Sequence, residues 1–286
     1  MIQGTNISIA LYLFLAGAGS GAYLVLQWLA LRPRARKSFP VSTSNILQSF
    51  PTLGHLLAAA LVMLGMFFLL TDLGIPSRLL LVFSRPFASA ISFGAWALLF
   101  FIMFALTREL LIVMFPQQLR KTKALLSLVS TVAAFAVSLY TGFYLYSVST
   151  IHFWHTPLII VLLFASALST GTAALISLAF FTDTQNRTSL LRRLGRLDII
   201  FILIELALLA IFLTSQYFAD PSAQQLVLSL LIGNHVYLFW GGVVGFGLLA
   251  PVILGFLAPR ITECYLLAAA CVIIGGLLLR CSIVLI

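Results

Sequence analysis

Long apolar runs without charge, broken by short polar or proline-bearing connections, fill the chain from about residue 6 onward. The apolar positions are continuous rather than alternating. That pattern excludes the strands of a membrane barrel and predicts helices. Eight runs reach the roughly 20 residues that cross a hydrocarbon core. They are about 6–31, 52–71, 88–110, 124–147, 156–181, 198–217, 229–257 and 263–284. Residues 124–182 carry no charge, and the stretch from His152 to Pro157 divides them. Pro157 ends one helix there, and Trp154 suits interfacial depth.

The connection 71–96 is the least lipid-like part of this pattern. Asp72 closes a run without charges that starts at Ser38. Pro76 and Pro86 stop a helix from continuing through. Residues 79–83 are apolar but far too short to span, and predict a helix on the membrane surface with Ser77 as N-cap. Two readings are open: a docking edge carrying Arg78 and Arg85, with Asp72 at a proton mouth, or a plain loop with lipid-facing arginines.

Composition narrows the class. Apolar residues make up 62% of the chain and charged residues 8%, against about 25% charged in a soluble domain. The fold class is therefore an all-α integral membrane protein, one domain over 1–286 with both termini outside. The orientation follows from thirteen of the sixteen Lys and Arg. These are Arg32, Arg34, Arg36 and Lys37; Arg108, Arg120, Lys121 and Lys123; Arg187, Arg192, Arg193 and Arg196; and Arg260. All follow odd-numbered spans, and the positive-inside rule puts them in the cytoplasm. Arg78, Arg85 and Arg280 remain for the other side. A pI near 10.0 is then a topology signal plus attraction to anionic lipid, with no nucleic acid implied. Residues 1–31 carry no charge and no basic n-region, so no cleavable signal is expected.

A faint repeat links Phe14–Gly21 to Phe164–Gly171. Two parallel halves, 1–150 and 151–286, would explain it, and so would small residues recurring wherever membrane helices pack closely. Cys264, Cys271 and Cys281 all lie in the last run without CxxC spacing, so no iron–sulphur cluster is expected in this chain. His55, His152, His155 and His235 fall at mismatched depths, which argues against a bis-histidine haem, and no metal site is expected.

Several polar residues sit where lipid makes them expensive. Tyr12 precedes Gly17, Gly19 and Gly21. Tyr140 is followed by Gly142, Tyr144 and Tyr146; Tyr144 and Tyr146 fit an aromatic belt. Asp198 and Glu205 are seven residues apart and share a helical face. Intramembrane acids default to function. They read either as a proton path or as structural acids, Asp198 pairing with Arg193 or Arg196.

Some of these residues also resemble a family. Asp72-Leu73-Gly74, Pro76, Arg78, Pro86, Ser92, Gly94 and Trp96 are similar to the DLGRPxR…P…S…GxW region of polysulphide reductase membrane subunits of the NrfD/PsrC type, with Ile75 where arginine is usual. The run from Tyr12 to Leu24, Tyr140-Thr-Gly142, and Trp154-His155-Thr-Pro157 against W-N-x-P extend the match, with His155 in place of asparagine. The resemblance implies a quinone head-group site at Tyr12 and Tyr140. His155 is a further candidate there, since an imidazole can exchange protons where an amide cannot.

The expectation is a quinone-binding membrane anchor of a respiratory oxidoreductase in a bacterial or archaeal cytoplasmic membrane. It would pass electrons between menaquinone or ubiquinone and a partner on the outer face, and would not be catalytic alone. The resemblance implies a four-cluster iron–sulphur partner and a molybdopterin catalytic subunit. Asp72 would handle protons, with Arg78, Arg85 and Trp154 facing the partner. A secondary transporter would also account for eight helices, a repeat and Glu205, and a passive anchor for the docking edge.

Overall fold

The computed structural model describes residues 2–31, 49–72, 89–115, 118–148, 152–182, 187–233 and 236–284. Among them are α1 (Ile2–Leu31), α2 (Phe50–Asp72), α3 (Ala90–Met114), α4 (Arg120–Tyr146), a 3-10 turn (His152–Trp154) and α5 (Pro157–Phe181). Then follow α6 (Arg187–Ala219), α7 (Pro221–Leu231), a π-helical stretch (Tyr237–Leu249) continuing into α8 (Ala250–Leu257), and α9 (Glu263–Val284). No strand occurs among the described residues. Eight helices among them are long and apolar enough to cross a membrane, so the protein is a multi-pass helical membrane protein. Leu73 to Ala88, with the expected surface helix and with Arg78 and Arg85, lie outside the described residues.

Local chemistry sets the helix ends. The Ser89 hydroxyl accepts from the Ser92 amide and caps α3. Pro157 and Pro221 each open a helix behind an extended residue, where a missing N–H costs nothing. Lys123 donates to the Phe115 carbonyl and closes the turn between α3 and α4.

Two expected boundaries change. The sixth run, 198–217, is only the apolar part of α6, which starts at Arg187. Arg192 and Arg196 are exposed on that helix rather than in a loop. The seventh run, 229–257, is cut. The amides of Ile232 and Gly233 both return to the Leu228 carbonyl and end α7. At 11 residues, α7 is about 16 Å long and cannot span. It buries Ala223, Val227 and Leu230.

The bundle is built around α1 and α5. Of their apolar windows 78% and 72% are buried, against 22% for α3 and 28% for α6. The two repeat segments face each other at this crossing. A methyl group on Gly21 would strike the Ala167 carbonyl, and one on Gly171 would strike the backbone of Gly21 and Ala22. Lipid supplies no hydrophobic force between helices, so close backbone contact must hold them. Gly247 and Gly275 meet in the same way where the π-helical stretch packs on α9.

Candidate functional site

Tyr12 of α1 and Tyr140 of α4 come together, each about 1% exposed. Tyr12 faces both Tyr140 and Tyr144. Ring centroids lie 5.7 Å apart for Tyr12–Tyr144 and 6.2 Å for Tyr140–Tyr144. Gly94 of α3 makes the cluster fit, since the Tyr140 ring and hydroxyl fill the space of a Cβ there. The Tyr12 and Tyr140 hydroxyls are buried within reach of one another, and among the described residues neither makes a well-aligned hydrogen bond. A buried hydroxyl left so costs about 1–3 kcal/mol, which favours a ligand that accepts from it. Tyr144 is half-buried in this cluster, not part of a plain aromatic belt, because the turn of α4 that presents Tyr140 brings Tyr144 beside Tyr12.

An apolar hollow of about 520 Å³ touches Tyr140, Phe143 and Ile160. A trough of about 780 Å³ between α3 and α4 runs on from it past Trp96, Phe100 and Phe104. Phe93, Val132 and Ala136 line both. Each volume lies within the roughly 300–1,000 Å³ of small-molecule sites.

The remaining expected residues are distributed around this pocket. The His155 ring stacks on Tyr146 at 4.7 Å, and its Nδ1 lies 3.1 Å from the Tyr146 carbonyl. It is exposed and stands apart from the tyrosine cluster in its contacts. Trp154, expected to face a partner, is instead 8% exposed and donates to the Ile283 carbonyl at 3.0 Å. Its indole fastens the 152–154 turn to α9, the kind of bond a buried N–H requires. Asp72 ends α2, but its side chain lies outside the described residues. His235 also lies outside them. No group of three or more potential metal ligands occurs among the described residues.

A second polar centre lies in the other half. Asp198 and Glu205 of α6 are both buried and face Ser169 of α5. Glu205 also faces Ser166 and Arg280. Arg280, expected among the basic residues on one membrane side, is 1% exposed inside the bundle. It donates to the Ser166 hydroxyl at 3.1 Å and the Gly276 carbonyl at 2.9 Å. Its carbon Cζ lies 5.4 Å from the Phe14 ring centroid. Gly17 leaves it room: a methyl there would come within 2.9 Å of Nη2. Arg280 is thus a site residue that charge counting assigns to a loop. The sequence signal was present: a cation inside an apolar span, with acids at similar depth on another helix.

The fold and these sites define a multi-pass membrane protein with a buried tyrosine cluster beside an apolar hollow and a separate charged centre. The protein belongs to the polysulphide reductase NrfD family, whose sequence model matches residues 6–286. It is 30% identical over 276 residues to the polysulfide reductase C subunit of Wolinella succinogenes, an alignment that takes in 88% of this sequence and 83% of that one. It is also 31% identical over 153 residues to protein NrfD of Escherichia coli K12, over 52% of this sequence and 48% of that one.

Proposed function

We propose that the protein is the quinone-reactive membrane subunit of a polysulphide-reductase-type complex. The observation that carries this is the buried pair Tyr12 and Tyr140, with Tyr140 lining an apolar hollow that runs on into the trough along α3 and α4. A quinone head group presents carbonyl oxygens that accept hydrogen bonds. Tyr12 and Tyr140 donate to them, Tyr144 and Phe93 wall the ring, and the trough along α3 and α4 takes the isoprenoid tail. When bound, the quinone accepts or gives electrons and protons; the protein positions it and excludes water.

Electrons pass between this pocket and an iron–sulphur partner on the outer face, with a molybdopterin subunit beyond it. Arg78 and Arg85 in the 71–96 connection meet that partner, and Asp72 exchanges protons at the mouth. The basic loops lie inside, and both termini outside. Asp198 and Glu205, which both face Ser169, with Arg280 facing Glu205, are a proton path in the second half. The membrane is the bacterial or archaeal cytoplasmic membrane, and the quinone is menaquinone or ubiquinone.

The test removes one oxygen at a time. Tyr140→Phe keeps the ring and deletes its donor, a loss of about 1–3 kcal/mol if the hydroxyl bonds the head group. Quinone-linked turnover of the assembled complex should fall about ten-fold or more, with Tyr12→Phe milder. Unchanged turnover in both variants would place the head group elsewhere.

A further inference from the structure

At the opposite end of the first four spanning helices lies a second ionisable cluster. Glu109 of α3 and His55 of α2 are each 3% exposed. Arg108 pairs with Glu109 Oε1, and His55 Nδ1 lies 3.3 Å from the same oxygen. Arg108 Nη1 is 3.4 Å from that same His55 nitrogen. Nδ1 therefore faces a donor and an acceptor together. It accepts from Arg108 when bare and donates to Glu109 when it carries a proton. Moving one proton between the two ring nitrogens exchanges its partner. Among the described residues, Glu109 Oε2 and His55 Nε2 are buried without a hydrogen-bond partner. Arg108 is the least buried member, its side chain 15% exposed.

The cluster adjoins a line of polar groups inside an otherwise apolar interior. From α1, the Tyr23 ring lies 4.9 Å from the His55 ring. From α2 itself, the Pro51 carbonyl is in reach of the imidazole. Tyr23 accepts from Gln27 at 3.0 Å and faces Ser130 of α4. The Gln27 carbonyl accepts from Ser127 at 3.2 Å. One turn from Tyr23, Ser20 accepts from Ser138 at 2.8 Å, and the Ser138 carbonyl accepts from Thr141, next to Tyr140. Along α1, Tyr23 is about 16 Å from Tyr12 at 1.5 Å per residue, half or more of a core about 30 Å thick.

We propose that His55, Arg108 and Glu109 form a proton relay at the membrane face opposite the tyrosine pocket, exchanging protons with that pocket along the polar seam between α1 and α4. The proposal rests on the quinone reading above. Reducing one quinone takes two electrons, from the iron–sulphur partner, and two protons, one for each carbonyl oxygen. Glu109 and His55 take protons at the face that carries Arg120, Lys121 and Lys123, and oxidation of quinol runs the same transfers backwards. Protons taken by this route come from the side opposite the electrons, so turnover that uses it, rather than the mouth at Asp72, moves charge across the membrane.

Redox-difference infrared spectroscopy on the assembled complex, with quinone cycled electrochemically, tests this. A relay predicts a carboxyl C=O band that changes with quinone redox state, shifts in D2O and is lost in Glu109→Gln. Turnover in Glu109→Gln should fall at least about ten-fold, with quinone affinity unchanged. A wild-type spectrum whose carboxyl bands all survive in Glu109→Gln, or wild-type turnover in that variant, overturns the relay and leaves a structural ion pair. If Glu109→Gln fails to assemble, Glu109→Asp decides: a displaced band supports the relay, and an undisplaced one refutes it. Wild-type complex that binds no quinone removes the pocket reading, and this inference with it.

Discussion

At the scale of single residues, shape matters as much as donors. Gly94 is a glycine because the Tyr140 side chain occupies the place of its Cβ. Gly94→Ala should push that ring aside, at an overpacking cost of about 1–3 kcal/mol, and reduce quinone-linked turnover while the bundle still assembles. Gly241→Ala is the control, since nothing lies within 4 Å of a Cβ there. Equal turnover in both variants would mean that the position of Tyr140 is irrelevant. Arg280 makes the complementary prediction. Arg280→Gln removes the cation that faces Glu205 inside the bundle. Removing a buried cation from beside a buried acid destabilises the arrangement. Thermal unfolding in detergent should show that loss, and Arg280→Gln combined with Glu205→Gln should recover part of it. Tyr12 and Tyr140 were legible in the sequence from the motifs around them. Tyr144 was not, because only helix rotation separates a belt tyrosine from a pocket tyrosine. Arg280 and Glu109 escaped because each lies near the end of its run, where a charge reads as the start of a loop.

At the scale of elements, the crossing of α1 and α5 carries the architecture. Its glycines admit the facing backbone directly, so Gly21→Leu has nowhere to put its side chain against Ala167. The expected outcome is loss of the monodisperse species in size-exclusion chromatography. Gly255→Ala should be tolerated better, because its Cβ would meet no backbone, only the Ile199 side chain at 2.9 and 3.1 Å. A monodisperse Gly21→Leu protein would mean that the crossing is looser than described. Every spanning helix was visible as an apolar run, because lipid forces that pattern. The start of α6 was hidden because Arg192, Arg193 and Arg196 belong to a helix projecting beyond its apolar part. The separate α7 was hidden because its single apolar stripe merges with the run that follows. Backbone geometry at Ile232 and Gly233 divides them, and hydropathy does not see it.

At the scale of the molecule, function depends on which face is which. With Arg280 inside the bundle, only Arg78 and Arg85 oppose the basic loops, which strengthens the asymmetry behind the proposed orientation. Reporter fusions at Lys121 and Leu226 should give cytoplasmic and external signals respectively. The reverse would put the 71–96 connection in the cytoplasm and the iron–sulphur partner with it. The proposed head-group position is narrower: between Tyr12 and Tyr140, with the tail along α3 and α4. The most direct measurement is photolabelling of the assembled complex with a quinone analogue reactive at its ring, followed by peptide mass spectrometry. A head group at this position gives adducts on the peptides carrying Tyr12, Phe93 and Tyr140, displaced by excess unlabelled quinone. Displaceable adducts confined to α6 and α9, around Glu205 and Arg280, would contradict it.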